Sequence, residues 1–448
     1  MDFIPLNGKE IEEMLKVIGV NTLDDLFQDI PSDIKIKKLN LPSGLSEPDL
    51  LRELTELSLK NKVYSHSFLG AGCYYHYIPS LVNFIINRSE FYTSYTPYQA
   101  EASQGYLQAI YEYQTVISRL TQMDIANASM YDGSTALAEA AIMATIISGK
   151  TKILMLEGIH PEYIEVVKTY CWGQEINYDI IKEEQLKEAI NEDIGAVLFQ
   201  SPNFFGDIEN IEELISIVRK ASQNCLIIQV MTDPTCLGIL KSPGELDIDI
   251  FVAEGQVFGI PPSFGGPGLG IFTAKQQYLR KMPGRLIGKT KEIYGEETGY
   301  ILTLQAREQH IRREKASSNI CTNQALCSLA ALIYLLSFGK TGLKELASQN
   351  FQKANFLKIE LKKISGYEIL NKKPTYNEFM LRCPNIEGLI NECNKNDILP
   401  PLRLSTYYPE LDDVVLVCVT EKNSLESIEK FLNGAKKALN YIKERGSK

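Results

Sequence analysis

Four stretches of the chain carry residue types that could do chemistry. The first, Phe91-Tyr-Thr-Ser-Tyr95-Thr96-Pro97-Tyr98-Gln99-Ala-Glu101-Ala-Ser103-Gln104-Gly105, crowds tyrosines, glutamines, Thr96 and Glu101 just ahead of a helical pattern. Pro97 stops any earlier helix, so these side chains are presented from a turn, and Ser103 or the helix start could face an anion. An ordinary helix cap with an aromatic staple is the alternative. The second stretch, Gly70-Ala-Gly72-Cys-Tyr-Tyr75-His76-Tyr77, pairs glycines that let backbone approach a ligand with His76, which could protonate or orient one. A histidine among tyrosines is also a common structural residue. In the third, Tyr131-Asp132-Gly133-Ser134-Thr135 leads into an alanine-rich helix, Ala136 to Ala144, whose first amides and two hydroxyls would suit a phosphate or form a plain capped turn. The fourth, from Arg307 through His310, Arg312 and Lys315 to Gln324, sets four cations against two carboxylates. Such a cluster can hold a carboxylate or phosphate bidentately, or form a solvated, internally paired helix face.

The elements that must position these residues follow from apolar rhythm. Residues 1–65 read as a polar helical arm, with helical spacing from Glu10 to Ile18 and from Leu50 to Leu59. A helical pattern runs from Ala102 to Thr121, and a second begins after Thr135. From about 151, strand-length apolar runs (Ile153–Leu156, Ala196–Phe199, Cys225–Met231, Ile248–Ala253, Gly268–Phe272) alternate with helical segments at Pro161–Tyr170, Glu183–Ile190 and Ile211–Ser222. That alternation predicts a mostly parallel, doubly covered sheet, with ligands beyond the carboxyl ends of its strands. A large α/β domain is expected over 66–335 and a smaller one over 336–448. The smaller one carries a helical pattern to Lys363, strands near Tyr376–Cys383 and Val414–Val419, and a closing helix from Ser424 to about Lys443.

Composition narrows the function classes. The 448 residues are 44% hydrophobic and 23% charged, enough for a globular protein of two or three lobes. A formal charge of -10 argues against nucleic acid or an anionic membrane as partner. The nine cysteines are scattered with no Cys-x-x-Cys, and with four histidines they assemble no metal site, so they read as reduced thiols. The first residues lack a basic region followed by an apolar core, and no window holds about 18 uninterrupted apolar residues, so a cytoplasmic protein is expected.

The stretch from Asp233 to the run Phe264-Gly265-Gly266-Pro267-Gly268 resembles the active-site strand and loop of pyridoxal-phosphate enzymes of the aspartate-aminotransferase type, fold type I. The resemblance implies that Asp233 meets the pyridine nitrogen and that Gly133, Ser134 and Thr135 receive the phosphate. It also implies a Schiff-base lysine where this chain has Gln256, and a carboxamide cannot form an imine. Lys241 and Lys275 do not stand at sensible spacing to replace it. The cofactor site of this chain is therefore expected to be vestigial.

Tyr95-Thr-Pro-Tyr-Gln, Ser103-Gln-Gly, Asp132-Gly-Ser-Thr-Ala, Gln200-Ser-Pro-Asn, Glu254-Gly-Gln, Met282-Pro-Gly-Arg285, Leu304-Gln-Ala-Arg-Glu-Gln-His-Ile-Arg-Arg-Glu-Lys-Ala and Ser318-Asn-Ile-Cys-Thr-Asn-Gln occur in this order. Together they resemble the P-protein family of the glycine cleavage system, specifically the first subunit of its two-subunit glycine decarboxylase. One departure is Ala100, where the family pattern has proline, which bears on turn rigidity more than on chemistry. The resemblance implies a reaction in which glycine condenses with pyridoxal phosphate, releases carbon dioxide and passes its aminomethyl group to the lipoyl arm of the H-protein. It implies that subunit 2 supplies the lysine and holds the cofactor covalently, in an α2β2 assembly, with the T- and L-proteins as functional partners. Residues of this chain expected to complete the partner's site are Tyr95, Thr96, Tyr98, Gln99 and Glu101, with Tyr75, His76, His310 and Arg312 behind them. The competing expectation is a non-catalytic scaffold or regulatory pseudoenzyme.

Overall fold

The computed structural model describes residues 6–36, 38–292, 295–316 and 318–439. They fall into two compact units, 1–63 and 64–448. In the first, Gly8–Ile18 is a helix opened by an Asn7–Glu10 capping box and closed by left-handed Gly19, and Glu47–Ser58 starts on Ser46. Its Leu50, Leu51, Leu54 and Leu57 are exposed at helical spacing.

The second unit is built on a seven-stranded sheet. In chain order its strands are β1 (Ile125–Ala126), β2 (Lys152–Leu156), β3 (Asn177–Ile181), β4 (Ile194–Gln200), β5 (Leu226–Met231), β6 (Ile250–Glu254) and β7 (Gly270–Ala274). The spatial order is β1-β7-β6-β5-β4-β2-β3. The β6–β5–β4–β2–β3 pairings are parallel, and β7 pairs antiparallel with both β6 and β1. Alternate residues of a strand serve opposite cores. Leu154, Val197, Ile227 and Phe251 enter one, and Ile153, Ala196, Ile228 and Val252 the other. A sheet buried on both faces explains why its central strands read as nearly continuous apolar runs. Strand β3 leaves no apolar run in the sequence because four of its five residues, Asn177 to Ile180, are exposed at the sheet edge.

The Gly133–Ser148 helix packs on the second core with Ala136, Ala138, Ala140, Ala141 and Ala144 all buried. Small side chains let it lie close to the sheet. A β-carbon on Gly133 would stand 2.9 Å from the Glu254 nitrogen, so glycine is required there. The smaller lobe has a four-stranded antiparallel sheet centred on Glu378–Arg382 and Val414–Cys418, with the Leu425–Ala438 helix against it. The expected continuation of that helix to Lys443 lies outside the described residues. Helix Ala325–Leu361 breaks at Gly339 (φ 58°) and runs through the expected lobe boundary at 335/336. It is the one helix among the described residues long and apolar enough to cross a membrane, yet it contributes Leu329, Ala331 and Tyr334 to the large core.

Candidate functional site

The carboxyl ends of β4, β5 and β6 converge with the start of the Gly133–Ser148 helix, as the topology leads one to expect. Asp132 caps that helix, accepting from the Thr135 amide at 2.8 Å and from the Ser134 hydroxyl at 2.6 Å. The Gly133 amide instead donates to Glu254 Oε2 at 2.9 Å, while Glu254 Oε1 accepts from the Gln256 and Leu269 amides, each at 2.9 Å. Burial pushes the Glu254 carboxyl up to about 7, against three backbone donors that favour its charged form. A carboxyl group thus occupies the helix start, and it is a side chain of the same chain.

Gln256 is buried and works as a piece of backbone. Its Oε1 accepts from the Tyr74 amide at 3.1 Å, and its Nε2 donates to the Tyr74 carbonyl at 3.2 Å and to the Ile260 carbonyl. This pins the Gly70–Tyr77 segment across the strand ends. The Tyr74 hydroxyl donates to Glu378 at 2.6 Å, and Glu378 also accepts the Ala71 amide at 2.7 Å. Burial raises the Glu378 carboxyl to about 7. A β-carbon on Gly70 would collide with the Glu378 carboxylate and come within 2.7 Å of Cys418 Cβ, so only glycine fits where the segment passes the small lobe.

His76 lies at the end of this segment, fully enclosed. Its Nε2 is 3.2 Å from Asp233 Oδ2 and its Nδ1 is 2.8 Å from Glu421 Oε2. Burial alone would lower its pKa, but Asp233 and then Glu421 outweigh that and raise it to about 10, so the ring is an imidazolium between two carboxylates. Asp233 is correspondingly held low: its burial, which acts upward, is overcome by His76 and by hydrogen bonds from Thr235. Asn377 Nδ2 completes its shell at 2.6 Å.

These contacts decide whether pyridoxal phosphate fits this chain's own site. The amide at the helix start is taken by Glu254, the aspartate by His76, and the imine position is Gln256 bonded to Tyr74. The residues present do not fit the cofactor. Gly133 and Gln256 meet at Glu254, Ser134 and Thr135 at Asp132, and Asp233 at His76.

The turn at 95–101 is different. Tyr95 is 79% and Tyr98 56% exposed, their ring centroids are 6.3 Å apart, and Gln99 and Glu101 are also exposed. Pro97 is buried, and Ala100–Ala102 forms a short 3-10 turn before the Gln104–Thr121 helix, which therefore starts two residues later than its apolar pattern. Gln104 bonds both the amide and the carbonyl of Tyr300 at 2.8 Å, and Ser103 makes no side-chain cap to the helix it precedes. Beneath the turn lies Arg285, 3% exposed. It donates to the Tyr98 hydroxyl at 3.1 Å and to Thr96 Oγ1 at 3.4 Å, with the Tyr98 ring 5.2 Å from its Cζ.

Several expectations need correction. His76 has both nitrogens engaged within the chain, leaving none for a partner's ligand. The basic stretch is not a helix face: it breaks into a four-residue helix, Gln309–Arg312, flanked by 3-10 turns. Its Arg307 turns inward onto the Met282 and Gly284 carbonyls, while His310 and Arg312 are exposed. Tyr75 is exposed under the Lys422 ammonium, 3.8 Å from its ring. The sequence reading missed Tyr74, Glu254, Glu378, Glu421 and Arg285 as members of these clusters. Tyr74, Glu254 and Arg285 carried a signal, lying within motifs already singled out, whereas Glu378 and Glu421 carried none.

The fold and these strand-end contacts define a member of the fold type I class, to which pyridoxal-phosphate-dependent enzymes belong. Solved structures at 14% identity and TM-score 0.66, a sphingosine-1-phosphate lyase from Burkholderia pseudomallei and a glutamate decarboxylase from Lactobacillus brevis, share that fold over 91% of this chain. The model of the glycine cleavage system P-protein family matches residues 1–434, and the chain belongs to that family. A crystal structure of glycine decarboxylase (P-protein) of the glycine cleavage system in inhibitor-bound form is 37% identical, with TM-score 0.90 over 98% of this chain and all of that one. The probable glycine dehydrogenase (decarboxylating) subunit 1 of Carboxydothermus hydrogenoformans is 48% identical over 96% of this chain and 98% of its own length, and that of Listeria innocua is 47% identical over 96% and 97%.

Proposed function

We propose that this chain is subunit 1 of a glycine decarboxylase and that it completes the active site of a second, lysine-bearing subunit. Glycine is the substrate, carbon dioxide leaves, and the aminomethyl group passes to the lipoyl arm of the H-protein. The T- and L-proteins act further along the same system, in the cytoplasm. Pyridoxal phosphate and its Schiff-base lysine belong to subunit 2, in an assembly of two copies of each chain. The observation that carries this reading is the contrast between two places in one chain. The cofactor cradle is closed by Glu254, His76 and Gln256, whereas the 95–101 turn exposes Tyr95, Tyr98, Gln99 and Glu101, of which Tyr98 also meets the buried Arg285.

The role of these exposed groups is to position and exclude. Two phenols and a carboxylate held on a short turn can donate to, accept from and cover a small substrate lying in a neighbouring subunit. His310 and Arg312, also exposed, are available for the same surface or for the H-protein. The test is reconstitution. The chain should co-purify with the lysine-bearing homologue, and only the pair should exchange labelled bicarbonate into glycine. A stable chain that refuses that partner, or a pair without exchange, overturns the reading.

A further inference from the structure

Arg285 is the only lysine or arginine among the described residues that is buried, and no carboxylate lies within ion-pair distance of it. Its Nε hydrogen has no acceptor. Two partly buried cations, Arg219 and Lys275, by contrast share Asp249 at 2.6 and 2.9 Å. A guanidinium kept from water without a counter-ion is a costly thing to build, and such a charge is retained where an anion arrives from outside. The site is also firmly held. The Arg285 carbonyl accepts the Ala128 amide at 2.8 Å, and Arg307 binds the carbonyls of Met282 and Gly284 on the turn just before it.

The guanidinium donates to the hydroxyl oxygens of Thr96 and Tyr98. Their own hydrogens are then left to point away from it, polarised by the charge behind them. Two hydroxyls bound to the guanidinium and an Nε hydrogen without an acceptor thus belong to one buried cation beneath the exposed turn. We propose that Arg285, Thr96 and Tyr98 form a binding site for the carboxylate of the small amino-acid substrate. A carboxylate brings one negative charge to one guanidinium and has two oxygens to share among three donors, whereas a dianion would leave net charge in a confined place. Tyr98 is exposed with its ring over the guanidinium, and a shift of that ring that keeps its hydroxyl on the guanidinium admits the carboxylate, a rearrangement within the reach of surface side chains. This assignment rests on the reading that the 95–101 turn completes a partner's site.

The experiment uses the reconstituted pair and two probes, acetate, which has a carboxylate and no amine, and methylamine, which has the reverse. Arg285→Gln should raise the KM for glycine roughly 10- to 100-fold, the cost of losing a charge-assisted pair, with a smaller change in kcat. Acetate should compete with glycine in the unaltered pair and not in the variant, while methylamine inhibits both alike. Thr96→Val and Tyr98→Phe, which leave the buried charge in place, should each weaken acetate inhibition to a lesser degree. In the isolated chain, labelled on arginine nitrogen, the Arg285 Nε–H resonance should move on addition of acetate, and the moving signal should be missing in Arg285→Lys. A signal unmoved by acetate in both chain and pair overturns the assignment, as does Arg285→Gln that weakens assembly or cofactor retention while leaving KM alone. If no pair exchanges bicarbonate but the resonance still moves, the subunit reading fails and the carboxylate site stands.

Discussion

Replacing His76 by glutamine removes a cation from between two buried carboxylates. The consequence can be worked in two independent ways. Truncating one partner of a buried ion pair costs about 3–5 kcal/mol, because the other charge is stranded. The titration gives a similar figure: the imidazole moves from 6.5 to about 10 on folding, and at ~1.4 kcal/mol per pH unit the charged form contributes about 5 kcal/mol. A raised pKa fixes the sign. The contribution is complete below 6.5, where unfolded and folded histidine are both protonated. It declines as pH rises above that value and is gone once pH passes about 10. Urea unfolding of the wild-type chain and of His76→Gln, followed by circular dichroism at pH 6, 8 and 9.5, should show the variant weaker by about 3–5 kcal/mol at pH 6 and the gap closing steadily towards pH 10. Equal midpoints at pH 6, or a gap that stays constant across that range, would refute the buried imidazolium.

Further outcomes follow from the same contacts. The isolated chain mixed with pyridoxal phosphate should give no stoichiometric borohydride-reducible adduct on peptide mapping and no carbon dioxide from glycine, and Gln256→Lys should leave the Tyr74 amide unpaired at a cost of about 1–3 kcal/mol. Tyr95→Phe, Tyr98→Phe and Glu101→Gln, made singly in the reconstituted pair, should lower decarboxylation roughly 10- to 1,000-fold, with thermal midpoints unchanged for Tyr95→Phe and Glu101→Gln, whose side chains are exposed, and lowered for Tyr98→Phe, which takes an acceptor from the buried Arg285 guanidinium. Full activity in all three would favour a scaffold. Gly70→Ala should destabilise the chain by about 1–3 kcal/mol in thermal scans, because the added carbon meets Cys418 and Glu378 inside the lobe junction.

Much of the architecture was legible because burial on both faces leaves a simple trace. Strands β2, β4, β5, β6 and β7 coincide with nearly continuous apolar runs, and their alternation with helices implied the parallel order of all but β7, which runs antiparallel. Strand β3 and the Leu286–Lys291/Thr298–Thr303 hairpin were missed because exposed polar residues give them no apolar run. At the site, Gln256 was readable as a change of chemistry at one position. The filling of the pocket was not, since Tyr74 and His76 reach Gln256 and Asp233 across more than 150 residues of chain. Local spacing carries no information about such contacts. Likewise the basic run looked like one surface, and only the fold separated inward Arg307 from exposed His310 and Arg312.

The Glu254 carboxylate at the head of the Gly133–Ser148 helix can be viewed as a competitor tied to its own receptor. A ligand tethered by so short a connection has an effective concentration of mM or higher, and it never diffuses away. Any free phosphate ester in solution must outbid it at that concentration and also draw a buried carboxylate back into water. Neutralising the side chain as Glu254→Gln would still leave an oxygen on the Gly133 amide. Shortening it, as in Glu254→Ala, is what would turn the helix start back into an open anion receptor, and it would do so for inorganic phosphate before it did so for any cofactor.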